Sequence, residues 1–238
     1  MQSGILRPET VRLAVEGGRL SYEARNRAAI DAYWADCKAA NSRLWNGPFF
    51  MFEEVSVGGS VFSGRGRRTD FATFLHWRDH GRPPEAVHVT GTSLPMTADG
   101  ALFAVRMAAH TANAGAVYFP AGSFDAEDIV DGGFDVTSNI ARELAEETGL
   151  VFDESMAEGA YTVVADRGAF HVARRSRLPG DFDACLDLMR RHQARTGDDE
   201  LETAIAVRAG GEGADLLKPY ARMLADWHFE NAAFSCSG

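Results

Sequence analysis

The chain has 238 residues, 45% hydrophobic and 24% charged, which is globular composition with ample material for a core. Its formal net charge of −10 argues against a sequence-independent grip on nucleic acid or on an anionic membrane, since either needs a basic surface. Cys37, Cys185 and Cys236 stand far apart, arguing against a disulfide framework or a cysteine zinc site, and no apolar run approaches the roughly 20 residues of a membrane-spanning helix. The N-terminus lacks the apolar centre of a signal peptide, so the expected compartment is the cytoplasm.

Along the chain, residues 21–43 predict a helix, with Ala29, Tyr33, Cys37 and Ala40 at helical spacing and Asn46-Gly47-Pro48 as the stop. "FFMFEEVSV" and the stretch around Val61-Phe62 predict strands, and "SGRGRRTD" reads as a flexible, glycine-containing loop. Thr69 or Asp70 caps a short helix, "DFATFLHWRDHG", which Gly81 and Pro83-Pro84 end. That double proline is the candidate boundary between an N-terminal α+β extension, 1–85, and a main domain, 86–238.

Beyond it, "AVHVTGTSLPMT" and "ALFAVRM" predict strands joined by an Asp99-Gly100 turn, and "GAVYFP" a third strand. A helix from Val136 to Thr148 follows a loop, with Asp135 as N-cap and Gly149 closing it. A hairpin turns at Asp166-Arg167-Gly168, then "DFDACLDLMRRHQAR" predicts a helix and "DDELETAIAVR" the final strand. In the last helix, "GADLLKPYARMLADWHF", Pro219 either kinks the element or marks its start. This order implies an α/β fold, an α/β/α sandwich whose mixed sheet is covered on both faces.

Glu143, Glu146 and Glu147 stand at i, i+3 and i+4 and share one face of the Val136–Thr148 helix. Like charges that close repel one another, and the last helical turn disfavours anions, so helix stability gives no reason to cluster them there. Either the run is a solvated helix face, or a cation compensates it. Hard carboxylate oxygens suit Mg²⁺ or Mn²⁺, which often bind protein carboxylates and substrate phosphates together. Arg142 can reach Glu146 at i+4.

The stretch "RELAEETGL", Arg142 to Leu150, resembles the second half of the Nudix hydrolase signature at every fixed position, and "YFPAG" resembles that family's strand ending in Pro-Gly-Gly. The similarity spans roughly residues 86–210, about half the chain. It departs in two places. Phe134 stands where the family has its first glutamate, and a six-residue insertion rich in Asp125, Glu127, Asp128 and Asp131 lengthens the loop after Gly122. Asp131 or Asp135 could then partner Arg142; alternatively, the inserted acids are solvated.

What the resemblance implies is a Nudix-type fold and a Mg²⁺-dependent hydrolase (Mn²⁺ being the other candidate) that cleaves the diphosphate linkage of a nucleoside diphosphate joined to another group. By the same resemblance Glu143, Glu146, Glu147 and the Gly122 carbonyl are metal ligands, and Glu143 is also a candidate base. Arg142 helps fix Glu146, and Glu200 or Glu202 supplies a further ligand or general base from a later loop. Arg106 is a candidate substrate contact or a surface strand charge, and Arg67 and Arg68 candidate phosphate contacts or loop charges. Tyr118, Phe119 and Phe124 could stack on a base, with Phe119 expected in the core, while His110 and His171 are expected to be structural. "LWNGPFFMFEEV" with "RRTDFATFLHW" is similar to a segment preceding the domain in the UDP-sugar pyrophosphatase branch, which would make the substrate a UDP-sugar. Two other readings remain open, a Nudix-like module that binds nucleotide without turnover and a structural dimerisation domain. The extension could serve a homodimer interface or a substrate lid.

Overall fold

A computed structural model describes residues 4–236. In chain order the elements are β1 (Gly4–Leu6), β2 (Thr10–Glu16), α1 (Ser21–Ala40), β3 (Pro48–Gly58), β4 (Val61–Asp70) and α2 (Phe71–Asp79). Then come β5 (His88–Met96), β6 (Leu102–Met107), β7 (Val117–Tyr118), β8 (Ala121–Ser123), β9 (Ile129–Val130), β10 (Gly133–Phe134) and α3 (Val136–Thr148). β11 (Thr162–Asp166), β12 (Ala169–Arg177), α4 (Phe182–Thr196), β13 (Leu201–Val207) and α5 (Pro219–Glu230) complete the series. Among the described residues, no helix is long and apolar enough to cross a membrane.

The fold is α/β, built on two mixed sheets. The larger runs β1-β11-β12-β5-β6-β13, with β12 and β5 parallel and the other pairs antiparallel. β5 and β12 are buried along nearly their whole length, as a parallel pair covered on both faces must be. Their side chains sort by the two-residue strand period. Val89, Phe170 and Val172 enter one core cluster, with Ile140 of α3, while Leu94 and Ala173 enter another, with Met189 of α4 and Leu224 of α5. The second sheet, β3-β4-β2-β10-β9, adds Leu13, Phe50, Phe52 and Phe62 to the first of these clusters.

The segment before Pro83-Pro84 is stitched into both sheets: β1 lies against β11 at the edge of the larger, and β2 pairs with β10 in the smaller. Sequence patterning left residues 4–16 unassigned and read "SGRGRRTD" as a loop, whereas that stretch lies in β4. Glycine there serves close packing instead of flexibility. A Cβ at Gly66 would stand 2.6 Å from the Phe134 ring and 3.0 Å from the Phe52 ring. Pro219 occupies the first turn of α5, where its missing N–H costs nothing, so it starts the helix and does not kink it.

Candidate active site

β5 and β6 part like a fork after their shared end at Met96 and Leu102, and residues 117–123 fill the gap. On one side β7 pairs with β6; on the other β8 pairs with β5 through Ala121↔Thr92, Gly122↔Gly91 and Ser123↔Thr90. α3 then lies across β5 and β8. Its approach depends on two glycines. A Cβ at Gly91 would fall 2.1 Å from Asn139 Oδ1, and one at Gly122 would fall 1.8 Å from the Glu143 carboxyl carbon. Asp135 fixes the helix start by accepting the Ser138 N–H at 3.0 Å, and Gly149 ends it at φ 71°. Gly122→Ala would push Glu143 aside without needing any backbone change, since Gly122 is not at positive φ. We expect that variant to fold, with a melting temperature near wild type, and to lose most metal-dependent activity. Unchanged kcat/KM would show that Glu143 need not sit over this glycine.

Glu143 has its carboxyl pushed up to about 7, first by burial and then by Glu146 and Asp128, while Arg142 opposes the rise. Glu147 is held well above the ordinary carboxylate range by burial and by the charges of Glu143 and Glu200. It accepts the Ala121 N–H, yet its Oε2 is shielded from solvent and has no hydrogen-bond partner. Glu200 is raised as well, by burial and by Asp198. Glu147, held at Ala121, is thus repelled by Glu143 on its own helix and by Glu200 from the loop before β13. Glu146 is 59% exposed and lies 2.9 Å from Arg142 Nη1. Among the described residues no three acidic, imidazole or thiol groups converge closely enough to hold a metal ion as they stand. Like charges splay without a counter-ion, and an exposed Glu146 can rotate from Arg142 at little cost.

Neither Asp131 nor Asp135 partners Arg142. Asp135 caps α3, and Asp131 occupies a turn at φ 50°. Asp128 takes the part instead. Only 2% exposed at its side chain, it accepts from Arg142 Nε at 3.2 Å, Arg142 Nη2 at 3.0 Å, Asn139 Nδ2 at 2.8 Å and the Asp125 N–H at 3.0 Å. Arg142 in turn reaches Glu143 at 2.9 Å. The inserted loop thus includes a buried brace in Asp128, which corrects the solvated reading for that residue, while Glu127 and Asp131 are exposed. Phe134 fills its position with an apolar ring against Phe50, Phe52 and Phe124.

The remaining sequence candidates are dispersed. Glu202 and Arg106 pair with each other at 3.7 Å across β13 and β6, away from the carboxyl cluster's own contacts. Arg67 is engaged by Glu53 at 2.8 Å and Glu16 at 3.0 Å in the smaller sheet, and Arg68 is exposed on the same strand. Phe119 and Phe124 are core residues.

Against β7 and β8 opens a cavity of about 1120 Å³, its wall including Tyr118, Ala121 and Ser123. The extension supplies the opposite wall, with Phe71, Phe74 and Trp77 from α2 at a spacing of three residues. That helical stripe is visible in "DFATFLHW" and was the available signal for these residues. His171, expected to be structural, is part of this cavity, stacked on Tyr220 at 3.6 Å and hydrogen-bonded to Thr90 Oγ1 at 2.9 Å. His110 lines a smaller hollow of about 390 Å³ with Asp199 and Glu200.

Burial and the nearby Arg82 hold both His88 and His171 down to about 3. An unfolded histidine titrates near ~6.5, so between those values the unfolded chain binds the extra protons and stability falls as pH falls. That contribution, a loss on the order of a few kcal/mol from pH 6.5 towards pH 4, runs against the gain from protonating the buried Glu143 and Glu147, so it is read as the difference in thermal melts between wild type and His171→Gln. His171→Gln should flatten that slope; an unaltered slope would place the acid sensitivity elsewhere.

No family model matches the sequence, and no curated protein does. Solved structures to which this chain is similar include a NUDIX hydrolase from Nitrosomonas europaea, at 15% identity and a TM-score of 0.41, covering 63% of this chain and 93% of that one. Another is a bifunctional NMN adenylyltransferase/ADP ribose pyrophosphatase from Francisella tularensis complexed with AMP and Mn ion, at 14% identity and a TM-score of 0.43, covering 62% of this chain and 42% of that one. A third is the NUDIX domain of Shewanella oneidensis NrtR complexed with ADP ribose, at 14% identity and a TM-score of 0.39, covering 67% and 98%. The family resemblance of Arg142–Leu150 rests on the box itself and on its seat over Ala121-Gly122.

Proposed function

We propose that the chain is a divalent-metal-dependent hydrolase of Nudix type, which cleaves the diphosphate linkage of a nucleoside diphosphate joined to another group. The observation that carries this reading is the shielded, unpartnered Oε2 of Glu147, in a cluster with Glu143 and Glu200 that is costly to charge without a cation. Glu143, Glu146 and Glu147, with the Gly122 carbonyl, offer the hard oxygen set that Mg²⁺ prefers and Mn²⁺ accepts. Bound there, the metal would neutralise diphosphate charge and lower the pKa of water.

The chain's own groups do the rest. Arg142, anchored by Asp128, holds Glu143 over Gly122. Glu143 is the candidate base that takes a proton from water, and Glu200 the alternative. The N-terminal similarity favours a UDP-sugar as substrate. Titration with Mn²⁺ followed by electron paramagnetic resonance tests the metal site. Wild type should immobilise the ion and Glu147→Gln should not. Equal binding by both proteins would remove Glu147 from the site.

A further inference from the structure

We propose that the large cavity is a nucleoside-binding site built by the N-terminal segment of the same chain, with the base on the α2 aromatic wall and an anionic group of the ligand at Lys218. The assignment deepens, and rests on, the hydrolytic reading of the carboxyl cluster, because it supplies the substrate's remaining half.

Position is the first argument. Ala121 lines the cavity and gives its N–H to Glu147, so a ligand lying in it abuts β8 at the residue that Glu147 holds. Surface chemistry is the second. Phe71 and Phe74 are half-buried, leaving ring surface towards the cavity, and Trp77 backs them with its indole N–H already committed to the Pro83 carbonyl. Such a wall suits a flat aromatic group and not a bare sugar phosphate.

Charge is the third argument. In a chain of net charge −10, the cavity lining carries Arg78, Arg82, Arg167 and Lys218 against Asp79 and Asp166. Arg78 is paired with Asp79 at 2.8 Å, and Arg82 with Asp166 at 3.4 Å. Lys218 has no carboxylate partner among the described residues and stands exposed at the start of α5. A small positive excess of this kind matches one or two negative charges on a ligand, not a densely phosphorylated polyol. Size is the last. The volume exceeds the roughly 300–1,000 Å³ typical of drug-sized ligands, so nucleoside and diphosphate fit together with a second group.

The test measures steady-state kinetics on the best-cleaved member of a nucleoside diphosphate–sugar and dinucleotide panel, and calorimetric binding of UMP and AMP. Wild type, Phe74→Ala, Phe74→Leu, Lys218→Ala and Glu147→Gln are compared. Phe74→Ala should raise KM and nucleotide Kd on the order of 10-fold, with kcat little changed. Lys218→Ala, at an exposed position that the fold does not need, should raise both about 5-fold, and Phe74→Leu should fall between wild type and Phe74→Ala. Glu147→Gln should fail to turn over. If turnover requires Glu147 while the Phe74 and Lys218 variants match wild type in KM and Kd, the cavity assignment is overturned and the hydrolytic reading stands. Should nucleotide binding depend on Phe74 and Lys218 while no substrate is cleaved, the cavity assignment holds and the hydrolytic reading falls.

Discussion

Glu147→Gln is expected to lower kcat by on the order of 10²–10³-fold while leaving the metal-free protein at least as stable as wild type. Both halves follow from one environment. The Glu147 carboxyl is buried among Glu143 and Glu200, and its Oε2 has no partner, so charging it in the folded protein is unfavourable unless a cation is present. An unfolded glutamate is already ionised above ~4.3, whereas the folded protein keeps the proton to higher pH. Between those values the folded state binds more protons, and stability declines as pH rises. Glutamine removes that cost and keeps the acceptor for the Ala121 N–H. Kinetics in Mg²⁺ and thermal melts of metal-free protein at pH 6 and pH 8 check both halves. A variant with full kcat would exclude Glu147 from the reaction.

Asp128→Ala should cost about 3–5 kcal/mol of stability, a drop in melting temperature of about 10 °C. Its carboxylate is the buried counter-charge of Arg142, and it also takes the Asn139 amide and the Asp125 N–H. Removing it leaves two donors without partners beside α3 and strips Arg142 of its buried counter-charge, leaving it Glu143, Glu146 and the more exposed Asp125. Activity should fall with stability, because the loop and α3 lose their common anchor. Arg142→Ala combined with Asp128→Ala should be less damaging than the sum of the two. Strict additivity in that cycle would mean the ion pair does not organise the loop.

Local rules made much of this structure readable. The α3 boundaries were written in Asp135 and Gly149, and the β11–β12 turn in Arg167-Gly168, because caps and tight turns depend on a few adjacent residues. What escaped was set by partners distant in sequence. β4 looked like a loop since its glycines answer to Phe52 and Phe134, not to their neighbours. β2 carries a period-2 pattern in Val11, Leu13 and Val15 that was available and unused, yet nothing local names β4 and β10 as its partners. The acidic cluster was legible through the spacing of Glu143, Glu146 and Glu147. The brace was not, since four acids of the insertion look alike and only folding buries Asp128. Nor could Lys218 and Phe74 be joined in advance, as 144 positions separate them in the chain. Pockets assemble from tertiary contacts.

Hydrolysis of a panel of UDP-sugars, ADP-ribose and dinucleoside polyphosphates, with Mg²⁺ and with EDTA, tests the central claim most directly. At least one compound should be cleaved at its diphosphate linkage with Mg²⁺ and left intact in EDTA, and preference for a UDP-sugar would support the N-terminal similarity. Metal-bound, nucleotide-bound protein that cleaves nothing would contradict the enzyme reading and make the chain a nucleotide-binding module.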